Sequence, residues 1–473
     1  MSDAPTRADD AIAVAPAPNW YGSSLADWGG ADGSLCAYAA RNVVVLVRPR
    51  DARARFAGAL AGHANRVTAV AFARGPGADH LLVSGSADKH LRVWDTSARR
   101  CLSVLRGHAA EVSAVATSPH LGNAGSSSFG DAAAPFFVSA DRAGVVLAWR
   151  LGPTPGVGDR PLRRFAALDA TPTLAIAIGV RSSGGEGSRV PASSVYDVAV
   201  AQRSGALALF AFAPSADSPG SPLEPTRLPA RAAEVHQLAW LPTIDDAAPS
   251  ASGKQSPGAP GIAALAVGSA ERGGSVTLWT WDGAKTTLRA TLALPRPDQR
   301  PSDHGAHRAK PWVALAWSVP SSVPPGPGGP LPSLLVASHG GELLRWRVDS
   351  AALLEGSLLG REQRDSASAP SDASAFERFR GAHDKAVFAV APDPTGASVF
   401  TASHDRTFAS RDVATLALEW RAAGLGGFAY ALDLDPSSGR VAIGCGDGSV
   451  RSLAEGGSEP ERADGGLLSP DGG

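Results

Sequence analysis

The sequence predicts an all-β protein folded as a propeller, a ring of four-stranded antiparallel sheets. Three observations predict this fold. A unit of short, alternating apolar segments recurs along the 473-residue chain. Gly (53) and Pro (37) are abundant, as many tight turns require. Hydrophobic residues make up 44% of the chain, enough to bury a large core.

The clearest unit spans residues 62–95. It opens with Gly62-His63, continues through an alternating segment at 67–72, and ends with Trp94-Asp95. Alternation of this kind predicts strands, and residues 87–90 have the composition of a tight turn between two of them. A Gly-His to Trp-Asp unit of this length is the signature of a WD40 propeller blade.

Four polar or aromatic residues of this unit have the types and spacing of a buried hydrogen-bond network. They are His63, Ser84, Asp88 and Trp94. Such a network fixes the geometry of a blade when all its members are satisfied. We therefore interpret these four residues as structural and not catalytic.

The unit recurs along the chain with progressively weaker agreement. Its innermost strands and its outer hairpins occur in different numbers. Seven segments qualify as innermost strands, whereas eight qualify as outer hairpins. Because a closed ring needs one inner strand per blade, the sequence predicts a seven-bladed WD40 β-propeller. In this prediction the N-terminal hairpin at 35–48 seals the ring against the last repeat. The hairpin near 440–453 is then surplus.

The chain divides into three predicted segments. Residues 1–30 form an N-terminal arm, residues 31–455 form the propeller, and residues 456–473 form a disordered tail. Long insertions rich in Gly, Ser, Pro and Ala interrupt the blades. Their low hydrophobicity predicts disordered surface loops.

Composition excludes several functional classes. With 44 basic and 45 acidic residues, general electrostatic attraction to nucleic acid is not expected, and we predict no binding to DNA. The cysteines Cys36, Cys101 and Cys445 are isolated, which argues against a zinc site or disulfide framework and favours a reducing compartment. No secretory signal and no apolar run of membrane-spanning length is present.

Catalytic motifs are poor. His339-Gly340-Gly341 has no accompanying nucleophile elbow, and the glycines at 444–448 lie between two predicted strands. Both stretches fit tight hairpins better than an oxyanion hole or a phosphate loop. We therefore predict that the chain is not an enzyme and has no metal or cofactor.

Several aromatic residues fall outside regular core positions. Two lie in the polar N-terminal arm and three at the mouths of inner strands, where they face the top of a propeller. Their rings could stack unpaired bases, with nearby basic side chains contacting phosphates or bases. The alternative is blade packing with an N-terminal anchor. The aromatic residues are Trp20, Tyr21, Trp312, Phe428 and Tyr430, and the basic residues are Arg41, Lys385 and Arg406.

Four stretches carry a resemblance to a known family. A general WD40 consensus requires neither Asn-Trp-Tyr in the arm nor Leu-Gly-Gly-Phe-Ala-Tyr at a strand mouth. In these stretches the chain resembles the N-terminal region of the gem-associated protein 5 family, the small nuclear RNA-binding members of the SMN complex. The stretches, in order, are 18–21, 39–41 followed by 45–48, 340–346, and 412–416 running on to 425–430. The last continues into 441–444 and 446–448.

The resemblance implies recognition of single-stranded RNA at the uridine-rich Sm site of spliceosomal small nuclear RNA. The five aromatic residues named above match base-stacking positions of the family. Arg41 and Arg406 match its basic contacts, and Lys385 stands where an arginine is expected. Glu234 matches an acid that accepts hydrogen bonds from a base edge.

The resemblance also implies a cellular setting. It predicts SMN-complex proteins as partners, a role in small nuclear ribonucleoprotein assembly, and residence in cytoplasm and nucleus. The family continues into a second propeller, so the surplus hairpin is predicted to mark where that propeller would begin, in a shortened form of the protein. The alternative function is a protein–protein scaffold without RNA binding, a common role of this fold.

Overall fold

The computed structural model of the chain is built from strands and turns. It describes residues 25–30, 35–48, 56–74, 78–119, 135–152, 160–166, 168–181, 195–214, 222–229, 233–241, 263–270, 274–281, 285–294, 313–318, 332–338, 340–348, 376–379, 382–393, 396–423, 425, 427–434, 441–445, 450–453 and 461–462. These ranges contain no helix. Consequently, none of the described residues belongs to a helix that could cross a membrane.

The strands form eight antiparallel sheets, numbered here in chain order, and in each sheet consecutive strands pair as a four-stranded meander. Sheet 1 contains β1 (Ala26–Gly29), β2 (Leu35–Ala40), β3 (Val43–Val47) and β4 (Phe56–Ala61), and sheet 2 contains β5 (Val67–Phe72), β6 (Leu81–Ser86), β7 (His90–Asp95) and β8 (Arg100–Arg106). Sheet 3 contains β9 (Val112–Thr117), β10 (Phe136–Asp141), β11 (Val146–Arg150) and β12 (Arg163–Arg164), and sheet 4 contains β13 (Thr173–Arg181), β14 (Val195–Gln202), β15 (Leu207–Phe212) and β16 (Thr226–Leu228).

Sheets 5 to 8 follow the same plan. Sheet 5 contains β17 (Val235–Trp240), β18 (Ala263–Ser269), β19 (Ser275–Trp281) and β20 (Thr286–Ala293), and sheet 6 contains β21 (Val313–Ser318), β22 (Ser333–Ser338), β23 (Leu343–Arg347) and β24 (Phe376–Phe379). Sheet 7 contains β25 (Val387–Pro392), β26 (Ser398–Ser403), β27 (Phe408–Asp412) and β28 (Leu418–Ala422), and sheet 8 contains β29 (Ala429–Leu434), β30 (Val441–Cys445), β31 (Val450–Leu453) and β32 (Glu461–Arg462).

The first strands of the sheets form a closed ring. Each contacts the first strand of the next sheet, and β29 of sheet 8 contacts β1 of sheet 1. The predicted all-β propeller is therefore confirmed. The predicted number of seven blades is not, because the described residues form eight sheets. The hairpin at 440–453 is not surplus: β30 and β31 pair with β29 and β32 inside sheet 8.

The strand missing from the sequence-based count is β1, which lies in the segment predicted to be an arm. It is only four residues long and lacks an alternating apolar pattern. It is attached to sheet 2 by a carboxylate, since Asp27 Oδ2 accepts the Phe72 N–H at 2.6 Å and Asp27 Oδ1 pairs with Arg74 at 2.6 Å. Gly29 lies so close to Phe72 that a Cβ there would collide with the ring. Apolar periodicity cannot reveal a strand held in this way.

The apolar core lies between the sheets. Neighbouring sheets share clusters of buried side chains, as where Val83 and Leu91 of sheet 2 pack with Val112 and Trp149 of sheet 3. Burial of apolar surface on both faces of each sheet is the main stabilising contribution to this fold. The glycine-rich insertions lie mostly outside the described residues, as does the tail apart from β32.

The four-residue network predicted in sheet 2 is present as a continuous chain of hydrogen bonds. Asp88 Oδ2 bonds His63 Nδ1 at 2.8 Å, and His63 Nε2 bonds Ser84 Oγ at 2.8 Å. The Trp94 indole N–H donates to Ser84 Oγ at 2.7 Å. Burial raises the pKa of Asp88, but hydrogen bonds from His90 and His63 outweigh it and hold that pKa below its usual value. The Asp88 carboxylate is therefore ionised at neutral pH, so it acts as the acceptor in each of its hydrogen bonds.

Removal of the Ser84 hydroxyl tests the network. Ser84→Ala leaves both His63 Nε2 and the Trp94 indole N–H buried without their partner, so we expect it to lower the free energy of unfolding by about 2 kcal/mol. The measurement is the denaturant midpoint and slope. Ser113→Ala is the matched control, because the Ser113 hydroxyl makes one longer bond of 3.3 Å at a partly exposed position. Equal losses in the two variants would contradict the network's role.

Candidate nucleic-acid interface

One face of the ring carries the predicted site residues that the structure describes. In each meander, the start of the first strand and the turn between the second and third strands lie at the same end of the sheet. We call this end the upper face. Backbone hydrogen bonds join neighbouring sheets there, including Val67 N–H to Arg41 O at 2.6 Å and His383 N–H to Gly341 O at 3.0 Å.

A β-bulge near the start of the first strand recurs on this face. In six sheets the second residue of the strand is skipped in the pairing register. A bulge redirects a side chain and often lies beside a functional site. In sheets 7 and 8 the skipped residues are aromatic, Phe388 and Tyr430. The structure thus places these two aromatic residues at equivalent positions of adjacent sheets.

The upper turn of sheet 7 is fixed by Asp405. Its carboxylate accepts the N–H groups of Asp384 and Thr407, each at 2.9 Å, and bonds His383 Nδ1 at 3.1 Å. Burial raises the pKa of Asp405, but the hydrogen bonds from His383 and Thr407 outweigh it, so that pKa lies far below its usual value. The residues on either side of Asp405 therefore project from a rigid turn.

Those two flanking residues meet Phe428 of the next sheet. The rings of His404 and Phe428 are stacked, with centroids 3.7 Å apart and planes 15° apart. The Arg406 guanidinium carbon lies 5.6 Å from the centroid of the Phe428 ring, a cation–π distance. Phe388 meets His404 edge-on at 5.8 Å and 72°. We call these four residues the sheet 7–8 cluster.

The cluster is open to a ligand. Phe388, His404 and Phe428 are partly exposed, and Arg406 is exposed. Arg406 forms no ion pair with any carboxylate in the described part of the chain. Arg66, which precedes β5 on the same face, is by contrast engaged, because it pairs with Glu111 at 2.6 Å. The sheet 7–8 cluster therefore combines accessible aromatic surface with an available positive charge.

Three upper turns place a basic residue in the left-handed backbone region. Arg41, Lys89 and Arg406 have φ of 50°, 72° and 66°. A residue other than glycine is strained there by about 1 kcal/mol. Sheet 6 has Gly341 at its upper turn (φ 81°), where a Cβ would collide with the His383 carbonyl oxygen. Basic side chains therefore occupy turns at which the neighbouring loop leaves space.

Three further predicted contact residues lie around the same face. Lys385 is exposed in the loop before β25, beside the cluster, and its carbonyl accepts the Ser403 hydroxyl at 3.2 Å. Arg41 is exposed at the junction of sheets 1 and 2. Glu234 lies before β17, where its carboxylate is 3.6 Å from Arg203. The structure thus places the Lys385 backbone next to Ser403, the residue before His404, and keeps Arg41 and Glu234 at separate junctions.

The remaining predicted aromatic residues are not described. Trp20, Tyr21 and Trp312 lie outside the described residues, and of Tyr430 the structure describes only the backbone, in β29. Phe388 and His404 were not among the site residues predicted from the sequence. Phe388 is the second residue of its strand, as Tyr430 is, so comparison of the repeats could have found it. His404 carries no such signal, since only the fold brings it against Phe428.

The cluster contains no catalytic arrangement. No group of three or more His, Cys, Asp or Glu side chains within the described ranges could hold a metal ion. The histidine beside Asp405, His383, is buried and also bonds Thr401 Oγ1 at 2.8 Å. Stacking, cation–π contact and hydrogen bonding to a flat, polar ligand are what this arrangement can provide.

Comparison with known proteins agrees with this architecture. The family model described as "WD domain, G-beta repeat" matches residues 55–95 and 376–408. The crystal structure of Saccharomyces cerevisiae Sqt1 superposes with a TM-score of 0.59 at 12% identity, covering 94% of this chain and 99% of Sqt1. The C-terminal WD40 domain of Sif2 gives 0.55 at 15% identity, covering 94% and 98%. The chain therefore folds as a WD40-type β-propeller, and two of its repeats match the WD40 family model.

Among curated proteins, the chain is similar to Gem-associated protein 5. It is 25% identical to the Mus musculus protein over 469 residues and 24% identical to the Homo sapiens protein over 465 residues. Each match covers 92% of this chain but only 26% of the relative, so the chain spans about a quarter of their length. The resemblance inferred from four short stretches is therefore confirmed along most of the chain.

Proposed function

We propose that this propeller binds single-stranded, uridine-rich RNA on its upper face, at the Sm site of spliceosomal small nuclear RNA. The observation that carries the proposal is the sheet 7–8 cluster. It presents Phe428 at the mouth of an inner strand, with Arg406 and Lys385 beside it.

The chemistry of the ligand suits the cluster. Uracil has a small flat face and a polar edge, and proteins read single-stranded RNA by stacking on the face and hydrogen bonding to the edge. An aromatic face contributes about 1–3 kcal/mol per stacked base. A chain with 44 basic and 45 acidic residues can therefore bind RNA if its few available cations lie beside such faces.

The remaining predicted contacts extend this site around the ring. In the proposal, Trp20, Tyr21, Trp312 and Tyr430 stack further bases, Arg41 contacts the backbone, and Glu234 accepts from a base edge. The similarity to Gem-associated protein 5 supports a role with SMN-complex proteins in ribonucleoprotein assembly. Residence in both cytoplasm and nucleus belongs to the same proposal.

A protein–protein scaffold without RNA binding is the competing function. A scaffold function requires no accessible aromatic residue beside cations that lack an ion-pair partner. The fold alone does not distinguish a scaffold from an RNA-binding protein. The combination of Phe428 and Arg406 favours RNA. The competing function would be supported if the folded protein failed to bind U-rich RNA.

Truncation of the stacking ring tests the proposal directly. We expect Phe428→Ala to weaken binding of a short U-rich RNA by about 5- to 150-fold, the equivalent of one lost stacking contact. Trp20→Ala added to it should weaken binding further. Fluorescence anisotropy with labelled RNA measures this, with Phe56→Ala as control, since Phe56 is 43% exposed on β4. Unchanged affinity in the double variant would contradict stacking.

Salt dependence and a glycine variant separate binding from folding. Because few phosphates would be neutralised, the plot of log affinity against log salt should be shallow, with a slope near −2 for about three contacts. Arg406→Gly should lower its magnitude by about 0.7. The same variant should be at least as stable as the parent to heat, since glycine adopts the φ of 66° without strain. If the salt slope of Arg406→Gly equals that of the parent, Arg406 does not contact a phosphate.

A further inference from the structure

We infer that the junction of sheets 2 and 3 on the upper face is a second RNA contact, which binds phosphates of the strand beyond the bases held at the sheet 7–8 cluster. The contact consists of Arg66, Lys89 and Arg142, with Glu111 between the two arginines. This inference rests on the proposed function and extends it, because none of these four residues is among the site residues predicted from the sequence.

The Glu111 carboxylate holds two arginines side by side. Its Oε1 accepts from Arg66 Nη2 at 2.6 Å, and its Oε2 lies 3.5 Å from Arg142 Nε. The arginine side chains are 47% and 49% exposed, whereas that of Glu111 is 20% exposed. Neither guanidinium donates to another group in the described part of the chain, so most of its N–H donors remain for a ligand. Two guanidiniums held in this way can bind a phosphate through charge-assisted hydrogen bonds.

Lys89 adds a third cation at the same place. Ala87, two residues before it, donates its N–H to the Arg66 carbonyl at 2.9 Å, so the upper turn of sheet 2 lies against the loop that carries Arg66. Lys89 is exposed and forms no ion pair with a carboxylate of the described residues. The carboxylates of Asp88 and Asp141 are only 8% and 0% exposed and are bonded to histidines. The charges that this junction presents to solvent are therefore three positive and one negative.

The backbone of Lys89 favours a role beyond folding. In five sheets one upper-turn residue has φ between 66° and 89° and donates its N–H to the carbonyl three residues before it, at 3.0 to 3.2 Å. Glycine adopts this φ without strain, whereas lysine and arginine do not. A strained residue at an exposed turn indicates function, so the shared position assigns Lys89 the same role as Arg406. The five residues, in chain order, are Lys89, Gly144, Gly205, Gly341 and Arg406.

The bulge positions distinguish this contact from the sheet 7–8 cluster. The residues skipped in the register of β5 and β9 are Thr68 and Ser113, whereas those of β25 and β29 are Phe388 and Tyr430. A hydroxyl side chain has no flat ring on which a base can stack. Because the junction of sheets 2 and 3 combines cations with hydroxyls at these positions, it suits the sugar–phosphate backbone and not the bases.

The order of the sheets places the two contacts on one path. Sheets 8 and 1 lie between sheets 7 and 2 in the closed ring, and Arg41 is exposed where sheets 1 and 2 meet. An RNA strand whose bases stack at the sheet 7–8 cluster can therefore continue past Arg41 to Arg66 and Lys89. A short RNA occupies the first contact alone, and a longer one reaches both.

RNA length separates the two contacts. Affinity of the whole chain is measured by fluorescence anisotropy for a short U-rich RNA and for the same RNA extended at both ends. We expect the extended RNA to bind about three- to thirtyfold more tightly, as for about two further phosphate contacts. Its plot of log affinity against log salt should be steeper by about 1.4, because each phosphate contact on a single strand adds about 0.7.

Variants of the junction test its residues. Lys89→Gly and Arg142→Gln should each lower the slope for the extended RNA by about 0.7 and weaken its binding about two- to fivefold. Lys89→Gly should not lower the denaturant midpoint, since glycine relieves the strained φ of 72°. Glu111→Gln keeps an oxygen that accepts from Arg66 but removes the negative charge, so the extended RNA should bind about two- to fivefold more tightly.

Arg100→Gln is the matched control, because it removes the same charge from the start of β8, at the opposite end of sheet 2, and should bind both RNAs as the parent does. Equal affinity of the parent for the two RNAs overturns the inference alone. So does a gain that persists in both Lys89→Gly and Arg142→Gln, or a Glu111→Gln variant that binds no more tightly. Binding of the extended RNA only would support this contact and refute stacking at the cluster, whereas binding of neither RNA refutes both.

Discussion

The buried aspartate in the upper turn is the interaction on which both the blade and the site depend. Asp88, Asp141 and Asp405 occupy this position in sheets 2, 3 and 7, and each bonds a buried histidine and backbone N–H groups. Each thus ties the second–third turn to the loop that precedes the first strand. The same turn carries the side chains that reach the surface, so the fixed carboxylate positions both the strands and the exposed residues.

Sheets that lack this aspartate make other polar contacts. In sheet 4, Gln202 accepts the Asp169 N–H at 3.1 Å and donates to the Thr171 carbonyl at 3.3 Å. In sheets 5 and 6, tryptophan indoles donate across the sheet boundary: Trp240 bonds the Ala177 carbonyl at 3.2 Å and Trp317 bonds the Ala239 carbonyl at 3.1 Å. The repeat can therefore decay in sequence while directional hydrogen bonds persist within sheet 4 and between sheets 4, 5 and 6.

The sequence predicts much of the fold because the repeat reflects interactions within a single sheet. Alternation reveals strands, and the spacing of His63, Ser84, Asp88 and Trp94 reveals their network. The blade number was wrong because β1 is held by Asp27 and by the close approach of Gly29 to Phe72, which are contacts with another sheet. The site follows the same rule. Phe428 and Arg406 are visible as exceptions to the repeat, whereas His404 contacts Phe428 only because the ring brings sheets 7 and 8 together.

Photo-crosslinking of the purified protein to a short U-rich RNA, with the crosslinked peptides identified by mass spectrometry, would locate the bound RNA on the ring. We expect crosslinks in peptides containing Phe428 and residues 385–406, with further ones in the arm around Trp20. Crosslinks confined to the opposite face, such as the turns between β5 and β6 or between β7 and β8, would contradict it. So would the absence of any crosslink in a folded protein mixed with excess RNA.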